Sequence, residues 1–244
     1  MRAKRFLLLS VVLMLLATIG YSSYQLWDIK QNYAQEAQMH SRLLHFRPSL
    51  QVHSAASQEN QSILDLQAAF PSVVGWLTIP NTRIDYPFAQ GNDNAHYLHS
   101  DLDQNWSSAG TIFMDYRNRH DFSDFNTILF GHHMRNGSML ATLQHFNDRA
   151  FFEANATGTI FLNNKTYEIQ FMAFAVVAAN DAVLYNPHIS TDANKVLFLE
   201  HVRGIARHYR DVDVTTNARI ITLSTCNYEF NDARMVLVGQ LVEF

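Results

Sequence analysis

Three side chains in this sequence are of the right types to carry out acyl transfer. The single cysteine, Cys226, ends the run Ala218-Arg-Ile-Ile-Thr-Leu-Ser-Thr-Cys226. A thiol is mostly protonated at neutral pH, so a nucleophilic cysteine needs a nearby base or positive charge. Acyl transfer also needs a donor for the developing oxyanion, a role a guanidinium fits. Arg234 lies in the next apolar run, Arg234-Met-Val-Leu-Val, and a hairpin between the two runs returns it near Cys226. The base must come from elsewhere. His132 follows the run Asn126-Thr-Ile-Leu-Phe-Gly131, a strand-end position of the same kind, and Gly131 permits a close approach there. His133 is the alternative partner.

These positions need strands to hold them. From Val73 onward, eight short runs rich in β-branched and aromatic residues are separated by Gly, Asn, Asp and Pro: VVGWLTIP, TRIDYPFAQ, GTIFMDYR, NTILFGHH, GTIFLNN, KTYEIQFMAFAVVAA, ARIITLSTC and ARMVLVGQLVEF. They predict a mainly β fold, an eight-stranded closed or nearly closed barrel. Cys226 is then expected at a barrel mouth. Between runs six and seven, Thr191 to Tyr209 carries Val196, Leu197, Leu199, Val202, Ile205 and Ala206 at helical spacing, so a helix is inserted in that connection. A shorter helix is expected over Met139 to Phe146.

The N-terminus predicts a membrane anchor. Arg2, Lys4 and Arg5 precede the apolar run Phe6 to Tyr21, with Tyr21, Tyr24 and Trp27 at its far edge. This is long enough to span a bilayer, with the basic flank in the cytoplasm and the rest of the chain outside. No A-x-A cleavage pattern precedes Trp27, which favours an uncleaved anchor. Asp28 to His45 reads as a helical stalk and Ser54 to Phe70 as a second helix closed by Pro71. The expected organisation is an anchor over 1–27, helices over 28–72 and a catalytic barrel over 73–244.

Composition narrows the function. Hydrophobic residues make up 48% and charged residues 16% of the 244, a globular balance. The net charge of −4 and the lack of a basic run argue against a nucleic-acid partner. The twelve histidines fall in no metal-ligand spacing, so no metal or cofactor is expected. One cysteine excludes a disulfide framework within the chain.

The segments NTILFGHHMRNGSMLATLQHF and ITLSTCNYEFNDARMVLVGQL resemble the sortases, more narrowly those of class B. The family's pattern is a TLxTC strand end, an upstream His in a G-H-x-M segment and an Arg shortly after the Cys; Cys226, His132 and Arg234 match it. GTIFMDYRN, the two N-terminal helices and the inserted helix are similar to class B features. The resemblance implies a cysteine transpeptidase that cuts secreted proteins after the Thr of a C-terminal sorting signal. It holds them as a thioester on Cys226 and passes them to an amine of a peptidoglycan precursor or a pilin. In that scheme His132 is the acid and base and Arg234 steadies the oxyanion. Asn94, Leu98, Ser224, Thr225, Tyr185 and Asn186 are the implied substrate-binding residues. Phe130 stands where the family commonly has Tyr, and Asn227 follows the cysteine. Sorting motifs of the Asn-Pro-x-Thr, Leu-Pro-x-Thr and Ser-Pro-x-Thr kinds all remain open. An exported papain-like peptidase is disfavoured because there Cys precedes His. A pilus-assembling sortase and an inert tethered barrel that only binds are the alternatives.

Overall fold

The computed structural model describes residues 2–49, 59–226 and 232–244. The start of the helix expected from Ser54, and Asn227 with the connection that follows Cys226, lie outside the described residues. The chain forms two compact units, 1–41 and 42–244.

The first unit is helical. The helix α1, Arg2–Leu43, runs without a break across Trp27, where anchor and stalk were expected to meet. Nothing in the sequence stops it, because its lone Gly20 is tolerated inside a helix and it contains no proline. Its apolar side chains from Phe6 to Trp27 are exposed. The helix is long and apolar enough to cross a membrane.

In the second unit, α2 (Gln61–Ala69) is capped by Asn60, whose side chain accepts from the Ile63 amide, and it buries Ile63 and Leu66. The strands are β1 (Val73–Thr78), β2 (Asp85–Gln90), β3 (Ile112–Met114), β4 (Asn126–Phe130), β5 (Thr157–Phe161), β6 (Thr166–Ala178), β7 (His208–Tyr209), β8 (Arg219–Cys226) and β9 (Ala233–Glu243). Their order is β5-β1-β2-β3-β4-β8-β9-β6-β7, and β5 also pairs with β6. Eight strands therefore close into a barrel, matching the eight apolar runs. The extra strand β7 pairs Tyr209 and His208 with Ala173 and Phe174 of β6, past the point where β5 ends its own pairing at Gln170.

Strand alternation divides the apolar residues between two cores. Ile221 and Leu223 of β8 and Met235 and Leu237 of β9 point into the barrel, among Phe88, Leu129 and Phe171. Ile220, Val236 and Val238 point the other way, into a second core with Phe125, Leu184 and Phe198. That outer core is roofed by helix α4, Asp192–Ile205, whose N-terminus is capped by Thr191.

Two expected helices differ in detail. Along α4 the buried residues are Phe198 and Val202, whereas Val196 and Leu197 of the expected stripe are exposed. The helix also stops at Ile205, short of Tyr209. Ala206 turns extended (φ −66, ψ 130), and the Arg207 amide donates to the Phe174 carbonyl at 2.8 Å, drawing the chain onto β6. The helix expected over Met139 to Phe146 is a 3-10 helix, Ala141–Asn147. It is followed by an unexpected short α3, Arg149–Ala154, capped by Asp148.

Candidate active site

Register brings the three candidate residues to neighbouring strand ends. In the antiparallel β8–β9 pair, Cys226 sits directly opposite Arg234. In the parallel β4–β8 pair, Phe130 sits opposite Ser224, and the Gly131 amide donates to the Ser224 carbonyl at 3.2 Å. Two residues further on come His132, just past the end of β4, and Cys226, the last residue of β8. Paired residues share a face, and the even-numbered residues of β8 and β9 face the outer core. The thiol and the guanidinium thus sit at one end of the barrel on its outer face, beneath the loop that joins β6 to α4. They do not line the barrel interior.

Gly131 supports this approach. A Cβ there would lie 2.8 Å from Leu140 Cγ and 3.0 Å from its Cδ1. Leu140 closes the loop after β4, its amide donating to the His132 carbonyl at 3.1 Å.

The two histidines have different partners. His132 Nε2 lies 2.7 Å from the Leu98 carbonyl oxygen. A carbonyl can only accept, so Nε2 carries the hydrogen, and Nδ1 is the nitrogen of the neutral ring that can take up a proton. Burial pushes the His132 pKa below its ordinary value; the Leu98 hydrogen bond opposes this and nearby His99 adds to it. The His99 ring centroid is 5.9 Å from that of His132. His133 instead donates from Nδ1 to the Cys226 carbonyl at 3.0 Å, which ties the loop to the strand carrying the thiol. Among the described residues no carboxylate hydrogen-bonds to His132, and Asp115 pairs with Arg117.

The residues expected to bind substrate divide into groups. Tyr185 and Ser224 meet directly, hydroxyl to hydroxyl at 2.9 Å. The Tyr185 ring stacks on Phe130, centroids 6.0 Å apart at 27°. Burial raises the phenol pKa to about 12, with Arg234 and Cys226 both close enough to act on it. Tyr185 therefore keeps its proton near neutral pH, and its hydroxyl can either donate to or accept from Ser224. Leu98 takes part through its carbonyl group. Asn94 holds the turn after β3, donating to Asp115 Oδ2 at 3.1 Å and accepting from the Tyr116 amide at 3.0 Å. Asn186 is exposed, and its side chain accepts from the His188 amide. Thr225 lies opposite Met235 on the interior face, and its buried hydroxyl has no hydrogen-bond partner among the described residues.

Sequence reasoning missed a buried carboxylate beside these residues and its ion pair. Asp115 is fully buried, and Arg117 reaches it from Nε at 2.9 Å and from Nη2 at 2.7 Å. Burial alone would raise the Asp115 pKa, but the hydrogen bonds from Arg117 and Asn94 outweigh it and hold the carboxylate below its usual range. The one signal was an Asp-x-Arg step at the end of a strand-like run, a spacing common on protein surfaces.

A thiol, an imidazole and a guanidinium brought to neighbouring strand ends of a closed barrel are the groups that a cysteine acyl-transfer enzyme uses. Residues 77–242 match the Sortase domain. The chain is 32% identical to sortase B of Listeria monocytogenes over 99% of both proteins. The crystal structure of sortase B from Bacillus anthracis superposes with a TM-score of 0.78 at 27% identity, covering 88% of this chain and 99% of that one. A Streptococcus pyogenes class B sortase involved in pilus biogenesis gives a TM-score of 0.67 at 32% identity, over 73% of this chain and 96% of that one. The chain belongs to the sortase family, the cysteine transpeptidases, and its similarity is to the class B members.

Proposed function

We propose that Cys226, His132 and Arg234 carry out transpeptidation on a secreted protein with a C-terminal sorting signal. The observation that carries this assignment is the shared register of β4, β8 and β9 at their site-side ends. Cys226 gives its thiol proton to His132 Nδ1, the resulting thiolate attacks the carbonyl carbon of the signal's Thr, and the oxyanion that forms is stabilised by the Arg234 guanidinium. The carbon–nitrogen bond breaks, His132 protonates the departing amine, and the protein is held as a thioester. An incoming amine then gives its proton to His132 and attacks the thioester carbonyl. The thiolate leaves, and a new amide is formed.

The acceptor amine belongs to a peptidoglycan precursor or to a pilin. The likeness to a class B enzyme involved in pilus biogenesis keeps the second source in view. The exposed apolar half of α1 supports a single-pass membrane anchor, with 1–27 in and beside the bilayer, helices over 28–72 and the catalytic barrel, 73–244, outside the cell. Asn94, Leu98, Ser224, Thr225, Tyr185 and Asn186 are the proposed substrate contacts, Thr225 through its backbone alone.

The test is to incubate the full chain in detergent with fluorogenic peptides carrying Asn-Pro-x-Thr, Leu-Pro-x-Thr or Ser-Pro-x-Thr, with oligoglycine or a diamino acid as acceptor. The expected result is cleavage after Thr and a thioester mass on Cys226 that transfers to the amine. Both should be absent in Cys226→Ala and His132→Ala. A Cys226 that resists alkylation in the folded protein would leave only the inert tethered barrel.

A further inference from the structure

The segment GTIFMDYRN contributes no group to these chemical steps, yet it holds the most buried charge beside the site. Asp115 receives four hydrogen bonds: from Arg117 Nε and Nη2, from the Arg117 backbone amide at 3.0 Å and from Asn94 Nδ2 at 3.1 Å. The same Arg117 Nη2 also donates to the Tyr185 carbonyl at 3.0 Å. Asn94 and Tyr185 come from different loops, one after β2 and the other between β6 and α4, and the two meet through this one ion pair.

The β6–α4 loop is held at three successive carbonyls. Asn126 Nδ2 donates to the Leu184 carbonyl at 2.9 Å and to the Asn186 carbonyl at 3.2 Å, while Arg117 takes the Tyr185 carbonyl between them. Asn126 is itself fixed by the Thr222 hydroxyl, which donates to its Oδ1 at 2.9 Å. Of these grips, only Arg117 also connects to the Asn94 side. We infer that Arg117, with Asp115 as its counter-ion, is a positioning residue that fixes the spacing between Asn94 and Tyr185, and so the width of the sorting-signal groove.

The physical case rests on what an ion pair with one buried partner does well. Asp115 is fully buried while the Arg117 side chain stays 35% exposed; burying the carboxylate costs about as much as the pair's attraction returns, so an apolar pair of similar volume would hold the fold as well. An apolar pair has no donor to aim at the Tyr185 carbonyl. A guanidinium locked in fork geometry by a carboxylate presents a further N–H in a fixed direction. Tyr185 in turn holds Ser224, two residues before Cys226 on the same face. The inference rests on the transpeptidase assignment for what occupies the groove.

The test uses the full chain in detergent, with Arg117→Met and the double variant Asp115→Asn/Arg117→Met. The single variant strands a buried carboxylate and loses stability; the double variant removes that charge and regains it. The readouts are Tm, kcat and KM for whichever peptide of the sorting panel the native chain cuts, the rate of Cys226 alkylation by iodoacetamide, and hydrogen exchange at amides 183–186. In the double variant KM should stay raised about tenfold or more, the loss expected for one charged hydrogen bond. There, kcat should stay within about threefold and alkylation should be unchanged, because the chemical groups are untouched. Amides 183–186 should exchange faster in both variants.

Recovery of both Tm and native KM in the double variant would show a purely structural pair and overturn the inference. A double variant that does not fold would do the same. If the native chain cuts no peptide, it is the substrate assignment that fails. Hydrogen exchange then decides alone: faster exchange supports the clamp and unchanged exchange overturns it.

Discussion

Gly110 lies outside the proposed catalytic residues, and replacing it with alanine should nevertheless disturb His132. Its φ is +59°, a left-handed conformation costing a residue with a Cβ about 1–2 kcal/mol. A Cβ there would sit 2.4 Å from the Tyr97 carbonyl oxygen and 2.6 Å from that of Leu98. Both atoms are main chain, so no side-chain rotation relieves the clash, and overpacking of this kind adds about 1–3 kcal/mol. The Leu98 oxygen is the acceptor of His132 Nε2, and the Tyr97 oxygen accepts from the Thr111 amide. Relief of the clash therefore moves the group that fixes the imidazole. Together the terms predict destabilisation of about 2–5 kcal/mol, a Tm fall on the order of 5–15 °C for a domain of this size. At a temperature well below the transition, kcat for peptide cleavage should fall at least tenfold. Gly137→Ala is the control: φ is +83° there too, but the nearest atoms are in the Arg83 side chain at 3.5 Å, so it should lose about 1–2 kcal/mol and little activity. Thermal unfolding and steady-state cleavage measured side by side decide the matter. If Gly110→Ala keeps a native Tm and a kcat within twofold, the link from Gly110 through Leu98 to His132 does not exist.

Three further outcomes follow from the site. Burial lowers the His132 pKa, so below about pH 6.5 the unfolded chain takes up a proton that the folded site resists. Native stability relative to His132→Gln should therefore be constant above that pH and fall as pH drops below it; denaturant unfolding at pH 7.5 and 5.0 measures this, and equal differences at the two pH values would contradict it. Tyr185→Phe keeps the stack on Phe130 but leaves the buried Ser224 hydroxyl without its partner, which should cost about 1–3 kcal/mol in chemical denaturation. Arg234→Lys keeps the charge but lacks the fork, and should lower kcat/KM about a hundredfold in peptide cleavage; a value within threefold of native would remove the oxyanion role from Arg234.

Most of the barrel was legible in the sequence because strand alternation is a local property. All eight apolar runs became the eight strands that close the barrel, and the apolar run from Phe6 lies within one long helix. The elements that were missed lack such a signal. The strand β7 has two residues and exists because β6 outlasts its pairing with β5. The 3-10 helix over Ala141–Asn147 shares its apolar spacing with an α-helix too closely for sequence to separate them. In α4 the stripe held for Leu199, Val202, Ile205 and Ala206 but included the exposed Val196 and Leu197 and left out Phe198, which packs edge-on against Phe125, a contact that depends on where the barrel lies.

The same division applies to the site. Cys226, His132 and Arg234 stand out in the sequence as candidates because few residue types perform nucleophilic, acid–base and oxyanion chemistry, and their strand-end setting is local. The tertiary structure alone decided which barrel face they share, since that depends on strand parity relative to two cores. It also decided that His132 is held by a backbone carbonyl, a group every residue has and no sequence pattern marks. Asp115 and Arg117 read as an ordinary polar step until folding buries the carboxylate and brings the Tyr185 carbonyl within reach. Residue types record which reactions are available; burial and long-range register, which arise only when distant segments pack, determine which groups are placed to carry them out.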